Sequence, residues 1–536
     1  MVSLSQLLSG VVKCIPHEIG LLGVAAFVFG SVALTLLVDV LFFAKPLPPG
    51  MALVREPPGA TSFSLRTRLA YFTDCRALFR EAYDEYLKKG TPVVIPVFTR
   101  SFDVFLPESM LKWYISQPDS VMSNGHAICD TEKIRYPMGS EKVILDPWQG
   151  MVVKVDLNKT LESLCAVMQE ELHVSIDKRF GTDTHHWKEV DIVQLMPVII
   201  AQAATRFTFG TELSRNDDYL QLILAMNESL VMNAGLANMV PRPFRQLASL
   251  MYNQPFFRHM RRFKRYVMPI WKQRVAAQDD SEAPEDIVQM LIRYGLKHRP
   301  QEMQDDDLMA KRLVTSNFGA VHQTGIQAAQ LILDVIASDS QYNTVAVLRD
   351  EIDRVFGKDD RTLWKKSDLA RLSKHDSLCR ESMRLHSFAQ RSVMRQVMCN
   401  GVEAPGGWPL PKGTNISVVG EPAQTDRDLH GDDADELDPW RFSRLREDAL
   451  TKGEEIPSVA FVSTGPNFLP FSYGRHACPG RFLVDFELKM ILAYILSKYD
   501  LKFHEEYNGK RPSNRMLGEA LFPPASAKVL VKRRQL

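Results

Sequence analysis

No C-x-x-C pair, no internal repeat and no low-complexity tract occurs in this sequence, and neither sign of charge prevails. The seven cysteines, Cys14, Cys75, Cys129, Cys165, Cys379, Cys399 and Cys478, are scattered and odd in number. That pattern argues against a disulfide framework and a zinc site and suits a reducing compartment. Lys+Arg of 65 against Asp+Glu of 64 leaves a net charge of +1, so no global field attracts nucleic acid, and no nucleic-acid partner is expected. Charge is also missing locally, because no residue from Ile19 to Val38 carries any.

At about 1.5 Å per residue that run is long enough to cross a hydrocarbon core of about 30 Å. It reads as one transmembrane helix. A cleaved signal peptide is the rival, but its apolar region is usually about 7–15 residues, and here apolar residues resume after Asp39 at Leu41, Phe42, Phe43 and Ala44. The prolines of Lys45-Pro46-Leu47-Pro48-Pro49-Gly50 favour a stiff, extended connection. The expected organisation is a short segment 1–18, an anchor 19–44, a hinge 45–60 and one domain 61–536. One basic residue precedes the span (Lys13) and several follow it (Lys45, Arg55, Arg66, Arg68), which favours a cytoplasmic domain. The sequons at Asn158, Asn227 and Asn415 would then carry no glycan.

What the chain does have is 45% hydrophobic residues, enough for a large core. From Thr61 to Arg299 the pattern is mostly helical, with β-like pieces such as Pro92 to Phe98. The most informative stretch is Phe471-Ser472-Tyr473-Gly474-Arg475-His476-Ala477-Cys478-Pro479-Gly480, followed by an apolar run from Phe482 to Leu496. It reads as a tight loop delivering Cys478 to a helix N-terminus, with Gly474 and Gly480 permitting special backbone conformations and Pro479 suited to a first helical turn. The helix dipole, free backbone N–H groups and neighbouring Arg475 and His476 are expected to favour a thiolate. A thiolate so held is a ligand for a soft metal centre, haem iron foremost.

The order Phe-x-x-Gly-x-His-x-Cys-x-Gly resembles the haem-binding loop of the cytochrome P-450 family of haem-thiolate monooxygenases. Upstream, Asp305 to Ser338 reads as one long helix containing Phe318-Gly319-Ala320-Val321-His322-Gln323-Thr324. Ala320 and Thr324, i and i+4, share a face where a small residue leaves room for a hydroxyl. This is similar to the family's oxygen-activating segment, with Gln323 where an acid is usual. The resemblance makes Thr324 and Gln323 the catalytic candidates, with Thr324 and ordered water delivering protons and Gln323 positioning them.

Glu381 and Arg384 stand at i, i+3 on one helix face and can pair, and Asp438-Pro439-Trp440-Arg441-Phe442 supplies a second arginine. The resemblance implies that Glu381, Arg384 and Arg441 interlock as a structural clamp under the haem loop. It also implies Cys478 as axial ligand, Arg395 and His476 at the haem propionates, Phe471 and Gly474 shaping the loop, and Phe318, Phe388 and Leu521 in the substrate pocket. The family's Trp-x-x-x-Arg propionate element is not matched, because Val152 stands four residues after Trp148. A mostly α-helical cytochrome P-450 fold with a small β-rich lobe follows, that lobe formed by strands near the domain start and after Arg384.

The implied enzyme holds haem b and activates O2 to oxidise a hydrophobic small molecule. The His322-Gln323-Thr324 variant looks most like fungal microsomal members acting on terpenoid-type secondary metabolites. No flavin or nicotinamide module is evident, so electrons are expected from a separate NADPH-dependent flavoprotein reductase, at the endoplasmic reticulum membrane. Two other readings stay open: a non-catalytic haem-binding membrane protein, and an acyl-transfer enzyme with Cys478 as nucleophile and His476 as base.

Overall fold

The computed structural model describes residues 46–97, 101–277, 286–357 and 364–535. The expected segments 1–18 and 19–44 lie outside the described residues. Among the described residues the helices that matter most for the site are α1 (Asn158–Phe180), α2 (Ile192–Phe209), α3 (Asp217–Met239), α4 (Gln254–Ala276), α5 (Ile287–His298), α6 (Asp306–Tyr342), α7 (Thr344–Phe356), α8 (Ser373–Leu385) and α9 (Arg481–Lys498). The fold is mainly helical with a β-rich lobe. Helices α2 and α3 are apolar and long enough to cross a membrane, and both bury apolar side chains in the domain core.

Helix α6 runs through the middle of the helical part, packed on α2, α8 and α9. Asp305 caps it by accepting from the backbone N–H groups of Asp307 and Leu308, and Asp306 and Asp307 sit at its positive end. It runs one turn past the expected Ser338, to Tyr342, where Asn343 adopts φ +52° and ends it. A Cβ built on Gly325 would lie 3.0 Å from Pro197 Cα of α2, whereas one on Gly319 would meet nothing within 4 Å. Gly325→Ala is therefore expected to lower the melting temperature, at a cost of about 1–3 kcal/mol for overpacking. Gly319→Ala is expected to leave it unchanged or raise it, since alanine is the better helix former. Thermal melts of the two variants check the contrast.

The β-rich lobe is a six-stranded sheet with spatial order Ala52–Leu53, Val93–Pro96, Phe102–Phe105, Asn415–Val419, Arg391–Val397 and Met122–Ser123. Its strands come from near the domain start and from beyond Arg384, as expected. Ala52 and Leu53 pair in parallel with Val93 and Val94, and Met51, Leu53 and Val54 are buried. The hinge expected over 45–60 is thus not all connection: apolar residues after Gly50 enter the sheet core, so the domain starts before residue 61. The sequon asparagines Asn227 and Asn415 are also buried, too enclosed for a glycan.

A register shift between Ser392 and Arg395 interrupts the pairing of Arg391–Val397 with Asn415–Val419. Val393 within it has φ +54°, a conformation that costs a β-branched residue energy. The hydroxyl of buried Tyr114 meets the carbonyl oxygens of Val393 and Ile416 and holds the bulge. Such a bulge re-aims the next side chain, here Arg395. Beside the start of this strand the hairpin Arg515–Leu517/Ala520–Phe522 is stitched to the chain after α8, Leu521 N donating to Phe388 O at 2.7 Å and Gln390 N to Glu519 O at 2.9 Å.

Candidate active site

The cysteine loop closes on itself. Cys478 N donates to Phe471 O at 2.8 Å, Ala477 N to Gly474 O at 3.1 Å and Ser472 N to Leu469 O at 2.8 Å. Gly474 has φ +75°, and a Cβ there would lie 3.2 Å from Ile115, so both conformation and space require glycine. Phe471 is buried against Phe461. Two expectations change. Gly480 sits at φ −89° as N-cap of α9, a conformation open to other residues, while Ser472 is the second left-handed position at φ +59°. Pro479 precedes the helix, which begins at Arg481.

The Cys478 thiol is raised above its ordinary value by burial, opposed by the backbone N–H groups of Gly480 and Arg481 and by the Arg481 charge. The expected help from Arg475 and His476 is absent. Arg475 donates to Gln117 O (2.5 Å), Asp119 Oδ1 (2.9 Å) and His476 Nε2 (3.0 Å), and His476 Nε2 is 3.2 Å from Asp119 Oδ1. The loop thus presents a partly buried thiol that a bound cation would deprotonate.

Arg395 is fully buried. Its Nη1 donates to Met394 O at 2.8 Å, its Nη2 has no partner, and the guanidinium lies 5.8 Å from the Tyr114 ring centroid. Burial lowers it, and the Arg475 cation lowers it further. Burial followed by the Arg395 charge lowers His476. Arg395, Arg475 and His476 therefore form one basic cluster, and Asp119 is the carboxylate acting on all three. An orphaned buried guanidinium nitrogen in a cluster with excess positive charge fits an anionic group. With a partly buried thiol backed by two backbone N–H groups, the residues fit a haem: Cys478 to iron, Arg395, Arg475 and His476 to propionates.

The clamp assembles as expected in its partners. Glu381 Oε1 and Oε2 each accept from Arg384 at 2.7 Å, and Oε1 also accepts from Arg441 Nε at 3.1 Å. Glu381 and Arg384 are fully buried. The guanidinium of Arg384 further donates to Gln424 O and Ala434 O, both at 2.5 Å. Arg441 reaches His430 O at 2.6 Å and Asp433 Oδ1 at 3.0 Å. The clamp thus grips the irregular chain 424–441 rather than the cysteine loop itself. The link towards that loop is Arg380, which sequence reading missed. It donates to Ala460 O (2.7 Å) and Ser463 O (3.0 Å) and lies 3.7 Å from the Phe468 ring centroid. No sequence signal marks it, since its partners stand more than seventy positions away.

On α6 the structure separates Gln323 from Thr324. Thr324 is 2% exposed and its Oγ1 has no hydrogen-bond partner. Gln323 and Gly319, i and i+4, are exposed although the helix is central. The face of α6 that fronts open space thus carries Gly319 and Gln323, not Ala320 and Thr324. Exposed Gln323 lies about 100° round the helix from buried Thr324. The pocket candidates do converge: Phe318 stacks on His322 at 5.3 Å, His322 meets Phe388 edge-on at 6.2 Å, and Phe388 meets Phe522 at 5.4 Å. Phe522, absent from the sequence reading, continues the wall beside Leu521. Trp148 instead donates to Glu302 at 3.0 Å under stacked Arg312, away from the basic cluster's named partners.

The family model described as Cytochrome P450 matches residues 151–531. Cytochrome P450 monooxygenase pbrC of Penicillium brasilianum is 42% identical over 92% of this chain and 93% of its own. Cytochrome P450 monooxygenase astC of Aspergillus terreus is 42% identical over 94% and 95%, and tenB of Beauveria bassiana 38% over 92% and 93%.

Proposed function

The chain belongs to the cytochrome P450 family of haem-thiolate monooxygenases, and from that premise we propose that it oxidises a terpenoid-type small molecule of fungal secondary metabolism, taking electrons from an NADPH-dependent flavoprotein reductase at the endoplasmic reticulum membrane. Membership makes it an enzyme that uses O2, a redox partner and a hydrophobic substrate. The observation that carries the reading is the Cys478 loop beside the Arg395, Arg475 and His476 cluster. Haem, when bound, supplies the oxidative chemistry.

The chain's own residues do the rest. Cys478 would hold the iron from a loop fixed by the Phe471 carbonyl and shaped by Gly474. The aromatic wall of Phe318, Phe388 and Phe522 keeps water from an apolar substrate. Gln323, an exposed polar side chain in the middle of α6, holds a water and orients its proton, since an amide bonds but does not titrate near neutral pH. Thr324 Oγ1, buried and without a hydrogen-bond partner, takes up that water and delivers the proton. Thr324→Ala is accordingly expected to consume NADPH with release of peroxide in place of product, and Gln323→Ala to do so less severely; the ratio of product to NADPH checks this. Equal coupling in wild type and Thr324→Ala overturns the assignment.

The acyl-transfer reading loses support because His476 is engaged by Asp119 and Arg475, with no hydrogen bond to Cys478. Coexpression with a reductase and untargeted metabolite profiling tests the proposal, a new reductase-dependent oxidised product being expected. A haem-loaded protein that yields none favours the non-catalytic reading. The uncharged run Ile19 to Val38 supports the membrane location, and the basic residues after it support a cytoplasmic domain. Deleting Met1 to Ala44 is expected to move the protein to the soluble fraction with its haem spectrum intact. A glycan on Asn158, Asn227 or Asn415 would overturn the topology.

A further inference from the structure

His322 is the polar member of an otherwise hydrocarbon wall. Its ring is stacked on Phe318, with an interplanar angle of 13°, and capped edge-on by Phe388 at 82°. Phe388 in turn is capped by Phe522. Three separate parts of the chain hold these rings: α6, the chain after α8, and the hairpin tied to it through Leu521 N and Phe388 O. All four rings are only partly covered, as expected where a wall borders space for a ligand. Within it, His322 Nε2 is buried and has no hydrogen-bond partner. Burial lowers the imidazole to about 4, so at neutral pH it is an uncharged ring with one N–H donor and one acceptor nitrogen.

Buried polar atoms in native proteins are almost always bonded, and an exception calls for a missing partner. Phe318 and Phe388 offer none, and the neighbouring Gln323 lies about 100° further round the helix. We propose that His322 is the specificity-determining residue of the substrate pocket, its imidazole hydrogen-bonding one hydroxyl or carbonyl oxygen on an otherwise apolar substrate. The proposal rests on the monooxygenase reading above and narrows its substrate class. The substrate is a hydrocarbon skeleton that already bears one oxygen function, so an oxygen-introducing or carbonyl-forming reaction precedes this step. The neighbouring rings fix the imidazole plane, which makes the bond directional rather than merely polar.

The test uses the full-length, haem-loaded protein with decalin, decalol and decalone as probes. Affinities come from Soret spin-state titration and, independently of the haem, from equilibrium dialysis. The wild type is expected to bind decalol or decalone roughly tenfold tighter than decalin, the scale of one well-placed neutral hydrogen bond in an apolar site. His322→Phe keeps the stack and removes both nitrogens; its preference is expected to fall below about twofold, with decalin affinity unchanged. His322→Gln, whose amide reaches about as far as Nε2, is expected to regain part of the preference. An undiminished preference in His322→Phe overturns the proposal, and so does a wild type with no preference for either oxygenated probe. If His322→Phe fails to load haem, dialysis with His322→Gln and His322→Leu decides by the same criterion. The reduced carbon monoxide spectrum of each protein reports the haem-thiolate reading separately, so failure of that reading is distinguishable from failure of this one.

Discussion

Cys478→Ala is expected to abolish the thiolate-type carbon monoxide spectrum and all oxidation, in protein that still folds. No other described cysteine stands in such a loop before a helix, and partly exposed Cys399 lies in a bend just after the strand Arg391–Val397. Cys75, Cys129, Cys165 and Cys379 are buried, and burial pushes Cys129 and Cys165 up to about 12, which opposes the thiolate a metal needs. The loop's own preparation of the sulfur is modest, since burial outweighs the N–H groups of Gly480 and Arg481. Bound iron must therefore supply the remaining stabilisation of the thiolate. A thiolate Soret signature retained in Cys478→Ala would refute the assignment. Arg481→Ala, which removes the one side-chain cation acting on the sulfur, is expected to weaken haem retention without changing the class of spectrum.

Glu381→Ala is expected to yield protein that fails to incorporate haem, and Arg384→Ala the same. Both side chains are fully buried and joined by two bonds of 2.7 Å. Removing one partner strands the other's charge, at a cost of about 3–5 kcal/mol. The geometry also ranks the variants. Glu381 faces two guanidiniums, so its loss leaves both Arg384 and Arg441 without it. Arg441 is 10% exposed and retains Asp433 in its other direction, and its own removal leaves the Glu381 and Arg384 pair intact. Arg441→Ala is therefore the mildest of the three. Haem-to-protein ratio and thermal melts measure the order; a fully loaded, wild-type-stable Glu381→Ala would show that the clamp does not hold the chain 424–441 in place.

Two kinds of information separate cleanly here. The cysteine loop, the i, i+3 clamp pair and the long central helix were legible in the residues themselves, because each is a local demand. A left-handed turn asks for glycine at 474, a buried charge asks for its partner one helical turn away, and a helix start asks for an acidic cap such as Asp305. Family resemblance ordered these pieces correctly. What the residues could not disclose was which way they face. One residue on a helix is about 100°, so whether Gln323 or Thr324 is the exposed side chain depends on how α6 rolls against α2, where a Cβ built on Gly325 would lie 3.0 Å from Pro197. The charges near the loop were likewise redistributed by distant chain. Asp119 draws Arg475 and His476 to itself across more than 350 positions, leaving the sulfur to Arg481, and the bulge at Val393 turns Arg395 into the same cluster. Partners so far apart in sequence meet only when packing brings their elements together, because the free energy that selects the pair belongs to the assembled core rather than to either segment alone.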